Sequence, residues 1–305
     1  MKDNLFFSIV IPTYNRAAFI LKSLDSVFQQ DYTNFEVIVV NDGSTDNTLE
    51  VLRSITDSRL KILNITNSER AAARNRGVEI AKGDYVTFLD SDDKYYSNYL
   101  SNANTVLLNK NRPVFYHQAY EVRNTNGKKL NYDINYGDGI KFLLDGNPLS
   151  CLGVFIKREE ALKFPFVEDR RLSGSEDWEL WIRLSVHFGL VKDTTLTACL
   201  IAHDKRSVIQ IEQEKLLTRK KLLLHYIFQD KEVHEAYGKY ENRIISHSYT
   251  YIALHLILDG HPFEGIKFLL KAIVLHPLCI IDRRMLGIGK HLLLSLFHLI
   301  FARKK

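Results

Sequence analysis

The chain has 305 residues, of which 46% are hydrophobic, 25% charged and 11% aromatic. That excludes disordered, collagenous and disulfide-stapled classes and leaves room for one large domain or two smaller ones. The net charge of +5 is uneven: residues 208–305 hold 15 basic and 9 acidic side chains, residues 1–207 hold 26 and 27, and no nucleic-acid partner is expected for the first two thirds.

Residues 5–90 alternate short apolar runs with amphipathic ones, the rhythm of βαβ units. Residues 8–11 form a β-branched strand stopped by Pro12. Ile20, Leu24, Val27 and Phe28 share one helical face, with Asn15 as the expected N-cap. Residues 35–40 read as a buried parallel strand, followed by a polar loop at 41–45. A second helix starts near Asp46 with Leu49, Leu52 and Ile55 inward, and residues 61–63 make a third strand. A third helix carries residues 71–76 and ends at Gly83. Residues 85–89 are a fourth strand. A hairpin turning at Thr125-Asn126-Gly127 is expected between 116 and 132. Leu180, Trp181, Leu184 and Phe188 mark another helix. Beyond 208 the pattern is helical, with an αα-hairpin around Gly260-His261-Pro262. The expected domains are 1–207 and 208–305.

Cys151, Cys199 and Cys279 lie far apart with no CxxC or Cys/His metal spacing, as expected of free thiols in a reducing cytosol. The N-terminal run is too short and too acidic for a signal peptide, and no stretch reaches the ~20 apolar residues of a membrane span.

The strongest chemical signal is Asp90, Asp92 and Asp93 at the carboxyl end of the fourth strand, the edge where open α/β sheets bind ligands. Such close carboxylates repel unless a divalent cation such as Mg²⁺ or Mn²⁺ sits among them, although the same residues also make a good turn and helix cap. Asp42-Gly43-Ser44 and Pro12-Thr13-Tyr14 follow strands at the same edge. The first triplet can offer a carboxylate and backbone donors to a base and ribose. Arg74 can face a phosphate from the third helix. A dinucleotide fingerprint after the first strand and a P-loop are both missing, which disfavours Rossmann oxidoreductase and P-loop chemistry.

These residues fall within longer runs: SIVIPTYN at 8–15, VVNDGSTD at 39–46, ARNRG at 73–77 and GDYVTFLDSDD at 83–93. With GNP at 146–148, FIKRE at 155–159 and SEDWELWIRL at 175–184, the sequence over about 8–207 resembles the inverting enzymes of glycosyltransferase family 2. The resemblance implies an α/β GT-A fold, a Rossmann-like mixed sheet with flanking helices, followed here by a C-terminal helical extension. It implies that Pro12, Thr13, Tyr14, Asp42, Arg74, Asp90 and Ser91 line the nucleotide-sugar site, with Asp42 on the base and Arg74 near the diphosphate. Asp90-Ser91-Asp92 would be the DxD motif, with Asp92 on Mn²⁺ or Mg²⁺, and Asp177 the catalytic base. Read alone, Asp177 is more readily a helix cap than a base, and Glu176 a helix-dipole partner. A late histidine with a following serine, His203 and Ser207, would complete the metal site. The residues around them depart from the usual lead-in, which leaves His203 either a ligand or a loop histidine.

The expected reaction is transfer of one sugar from a nucleotide donor, expected as a UDP-sugar, to a glycan or lipid-linked acceptor in surface-polysaccharide assembly. Processive synthases add a QxxRW motif and membrane spans, and this sequence has neither. A sugar-1-phosphate nucleotidyltransferase would need a glycine-rich phosphate loop after the first strand. A non-catalytic sugar-nucleotide or membrane-binding scaffold would not need Asp90, Asp92 and Asp177 together. The expected location is cytoplasmic, with the tail as the variable. Leu286, Leu293, Leu296, Phe297 and Ile300 share a helix face flanked by Arg283-Arg284 and Arg303-Lys304-Lys305. That face either packs on protein, including a second copy in a homo-oligomer, or lies on the anionic inner leaflet of a membrane.

Overall fold

Strand β1 (Phe7–Thr13) is buried at every residue, so it must be paired along both edges and covered on both faces. The computed structural model describes residues 4–130, 141–203 and 213–302. From β1 the chain alternates through α1 (Ile20–Phe28), β2 (Phe35–Asp42), α2 (Thr48–Arg53), β3 (Leu60–Ile65), α3 (Glu69–Ile80) and β4 (Tyr85–Phe88). The four strands are mutually parallel in the order β3-β2-β1-β4, with Phe7 opposite Phe35 on one side and Tyr85 on the other.

The second half of the sheet is mixed. It follows β5 (Lys94–Tyr95), α4 (Tyr99–Asn109), β6 (Phe115–Asn124), β7 (Lys129–Leu130), β8 (Val154–Lys157), α5 (Arg158–Lys163), α6 (Glu176–Phe188) and β9 (Val191–Ala202). Here β8 runs antiparallel to β4 and β6, β9 parallel to β6, and β5 antiparallel to β9. The expected hairpin is present as β6 and β7, turning at Gly127 with φ +78°. Its last expected residues, 131 and 132, lie outside the described ones. Phe7, Tyr85, Tyr99, Tyr116 and Phe155 sit in the core beneath the sheet, the ring of Phe7 edge-on to that of Phe155 at 5.5 Å.

Three local expectations change. Pro12 does not stop β1, which runs on to Thr13. The Val10 carbonyl accepts from Leu89 N on the β4 side, so Pro12, two residues on, faces that same side beyond the end of β4, where its missing N–H costs no ladder bond. Asn15 is not the cap of α1, which starts at Ile20 behind Phe19. Asn15 takes a left-handed φ of 51° and its amide oxygen accepts from Thr45 N at 2.8 Å, tying the first loop to the second. Gly83 is not the end of α3, which stops at Ile80 with Ala81 extended. Gly83 is needed because a Cβ there would lie 2.6 Å from Ser8 N.

Gly77 has a similar reason, because α3 crosses β1 so closely that a Cβ would meet Val10 Cγ1 at 2.3 Å. Gly77→Ala is expected to cost about 1–3 kcal/mol, read from the urea unfolding midpoint, since Val10 is itself walled in.

The chain divides into two compact units, residues 1–140 with 147–209 and residues 141–146 with 210–305. The second unit contains α7 (Gln213–Gln229), α8 (Lys231–Tyr237), α9 (Glu241–Leu258), α10 (Pro262–Leu275) and α11 (Arg283–Ala302). Asp230 caps α8 by accepting from Val233 N. The expected αα-hairpin is α9 and α10, turning at Gly260 with φ +83° and Pro262 opening α10. Leu216, Ile252 and Leu256 form a small core there, with Phe268 against it.

Candidate active site

The carboxyl ends of β1, β2 and β4 bring the first group of residues to one edge of the sheet. Thr13 closes β1, buried, and its hydroxyl has no hydrogen-bond partner among the described residues. Pro12 precedes it in the strand, and Tyr14 follows with an exposed ring. Asp42 ends β2, and its carboxylate caps α3 from outside. Oδ1 accepts from Ser68 N at 2.6 Å and Oδ2 from Glu69 N at 2.9 Å, a service that Ser68 itself does not perform. Burial raises the Asp42 carboxyl above its ordinary range, and those two backbone donors oppose the rise.

After β4 the carboxylates diverge instead of sharing one site. Asp93 turns inward, fully buried, and accepts from Ile201 N at 2.9 Å, pinning β9; it is not an available metal ligand, contrary to the expectation for the cluster. Asp90 accepts from Arg74 Nη2 at 2.8 Å. Asp92 lies 3.0 Å from His203 Nε2 and 3.8 Å from Arg16 Nε. The like-charge repulsion is thus relieved by a separate donor for each carboxylate. Ser91 between them is buried.

Arg74 is 2% exposed, a core cation rather than an open phosphate ligand. Its guanidinium bridges Asp90 and, through Nη1 at 3.0 Å, Glu176, and it lies over the Phe166 ring at 5.3 Å. Glu176 opens α6 and also accepts from Gly174 N. Burial works against its charge, but Arg70 and Arg74 outweigh it and hold Glu176 below the usual carboxylate range.

Asp177 sits next to it in the first turn of α6, only partly covered. Its Oδ2 accepts from Asn147 Nδ2 at 2.9 Å. Loss of hydration first, and the adjacent Glu176 carboxylate second, push Asp177 up to about 6, with Arg74 pulling the other way.

His203 is held flat against Phe19, ring centroids 5.1 Å apart, and its Nδ1 is buried without a hydrogen-bond partner among the described residues. A carboxylate oxygen and an imidazole nitrogen in contact suit Mn²⁺ better than Mg²⁺, which prefers oxygen throughout. Among the described residues no three His, Cys, Asp or Glu side chains gather into a metal-sized group. Ser207 lies outside the described residues.

Sequence reading missed the partners. Glu176 looked like a dipole residue and is half of a buried ion pair. Asn147, 30 residues from Asp177, has no local pattern announcing its role; the GNP run it belongs to was the only signal. Arg16, which supplies a cation beside Asp92, was hidden in the first loop.

The family model for glycosyl transferase family 2 matches residues 8–161. Relatives include the Escherichia coli UDP-Glc:alpha-D-GlcNAc-diphosphoundecaprenol beta-1,3-glucosyltransferase WfgD. It is 33% identical over 199 residues, 64% of this chain and 74% of its own. The amylovoran biosynthesis glycosyltransferase AmsB of Erwinia amylovora is 35% identical, over 60% of this chain and 64% of its own. A Rickettsia bellii glycosyltransferase is 34% identical over 58% of this chain, but the match spans only 26% of that larger protein. Among solved structures, S. aureus TarS 1-349 with UDP-GlcNAc superposes with a TM-score of 0.65 at 20% identity, covering 88% of this chain and 81% of that one. The mannosyltransferase PcManGT of Pyrobaculum calidifontis, with GDP-Man and Mn²⁺, gives 0.56 at 17% identity, covering 98% and 88%. The mixed sheet with flanking helices is therefore the GT-A fold.

Proposed function

Because the chain belongs to glycosyl transferase family 2, we propose that it moves one sugar, with inversion, from a UDP-sugar to a lipid-linked glycan acceptor during polysaccharide assembly. The acceptor class follows from WfgD, whose name specifies a diphosphoundecaprenol-linked sugar. Family membership sets aside the nucleotidyltransferase and scaffold alternatives. The catalytic part is 1–207, and 208–305 is left for attachment.

The observation that carries the mechanism is the setting of Asp177, partly open, pushed up to about 6 and aimed by Asn147. A carboxylate with that value is ionised at neutral pH yet basic enough to take a proton from the acceptor hydroxyl as it attacks the anomeric carbon. One displacement from the face opposite the leaving group inverts that carbon. Thr13 offers its unpaired hydroxyl and Asp42 its carboxylate to the nucleoside. Asp90, locked by Arg74, is positioned for the ribose. Arg16 brings positive charge to the side where the diphosphate leaves. Asp92 and His203 would hold a divalent cation, which when bound supplies Lewis-acid stabilisation of the diphosphate. Three buried free cysteines suit a reducing compartment, so we assign the reaction to the cytoplasmic side.

The test is slow donor hydrolysis across a panel of UDP-sugars, with Mn²⁺ and with a chelator. One donor should be hydrolysed at least about tenfold faster with Mn²⁺, and Asp92→Ala should remove that gain. Full activity of Asp92→Ala with Mn²⁺, or pyrophosphate as the product, would overturn this reading.

A further inference from the structure

We propose that the outer face of α10, the turn after it and α11 together form a docking surface for an anionic lipid bilayer. Large exposed apolar side chains concentrate in the second unit, which holds 10 of the 16 found among the described residues. On α10, Phe263, Leu270 and Val274 recur at helical spacing on one exposed face, Val274 at 81% exposure. The chain then turns through Leu278 and Ile281, the latter also 81% exposed, while Cys279 between them points inward. On α11, Leu286 and Leu293 stand 78% and 72% exposed.

Both rows carry a lysine in the middle. Lys267 lies one turn from Phe263 and Leu270, and Lys290 one turn from Leu286 and Leu293, all on exposed positions. At a bilayer surface that pattern is favourable, because the butyl stem lies along the acyl boundary and the ammonium reaches lipid phosphate. Against a second protein copy the same two ammonium groups would be buried amid leucine and valine unless they met that copy's Asp259, Glu264 or Asp282. The sequence here is basic, which suits the same partner: residues 258–305 hold 8 basic and 3 acidic side chains, of which Arg303, Lys304 and Lys305 lie outside the described residues. No described helix is long and apolar enough to cross a membrane, so the contact is one that lies on the surface. The inference is independent of the reaction assigned above, since it uses no residue of the catalytic site.

The test is co-sedimentation of the full chain with phosphatidylcholine vesicles, with and without phosphatidylglycerol. Binding should be at least about tenfold tighter to the anionic vesicles and should weaken with salt. Lys267→Glu with Lys290→Glu, two exposed changes that leave the packing intact, should cost about tenfold or more on those vesicles. Phe263→Ser with Val274→Ser and Ile281→Ser should abolish binding to both. Equal binding to the two vesicle types, or none to either, overturns the proposal. So does a dimer in sedimentation that the serine variant dissociates while vesicles leave it unaffected, an outcome that assigns the face to a second copy.

Discussion

Asp177→Asn is expected to lower transfer about 10²–10⁴-fold while donor binding stays near wild type. The amide has the same shape and still meets Asn147, but it cannot accept the acceptor's proton. A pH profile of the wild type should show the matching limb. Transfer is present above about 6 and lost as pH falls through that value, because the base is then protonated. Glu176→Gln should move that limb downward, since the Glu176 charge is, after loss of hydration, the largest cause that raises Asp177. Stability should respond in the opposite sense to activity. A carboxyl whose folded value lies above its unfolded 3.8 favours the folded state fully below 3.8, and that advantage drains away as pH rises through about 6. Asp177→Asn should therefore gain about 1–2 kcal/mol over wild type at pH 8 and little at pH 4, read by urea unfolding. Wild-type transfer rates in Asp177→Asn would remove the base assignment.

What could be read from the chain was what periodicity and local chemistry encode. Continuous apolar runs announced β1, β2 and β4, and the acidic residues at the ends of β2 and β4 marked the edge proposed for the donor. Destinations over long sequence distances were not written locally. Asp93 resembles its neighbours in sequence, yet only the fold sends it to Ile201 N, 108 residues on. Asn15 has the composition of a cap, and its left-handed φ depends on the loop at Thr45 that it bonds. Arg74 had the look of a phosphate ligand because a cation on a helix beside an acidic edge is normally solvated. Its burial follows from two carboxylates, one 16 and one 102 residues away, which no spacing rule connects. The candidate carboxylates were legible and the groups that hold and tune them were not.

Those supporting groups are where the second large effect is expected. Arg74→Met should destabilise the protein by about 3–5 kcal/mol, because it strips from Glu176, a carboxylate almost wholly out of water, the hydrogen-bonded one of its two cations and leaves only Arg70 at 3.9 Å. Arg74→Lys should recover only part, since one ammonium cannot reproduce two bonds at 3.0 and 2.8 Å to carboxylates on different elements. The penalty comes mainly from the abandoned charge rather than from the lost attraction. Combining Arg74→Met with Glu176→Gln should therefore be less damaging than the sum of the single changes, by about 1 kcal/mol or more. Strict additivity in that cycle would show that the bridge is incidental. The same variant carries a functional signature that a merely structural role would lack. Arg74 pulls Asp177 downward, so removing it should move the acid limb of transfer to higher pH, opposite to the shift expected from Glu176→Gln. The buried bridge thus ties Asp90, on the edge proposed for the donor, to Glu176, the neighbour of the residue proposed to activate the acceptor, and opposite movements of one pH limb would reveal both ends of it.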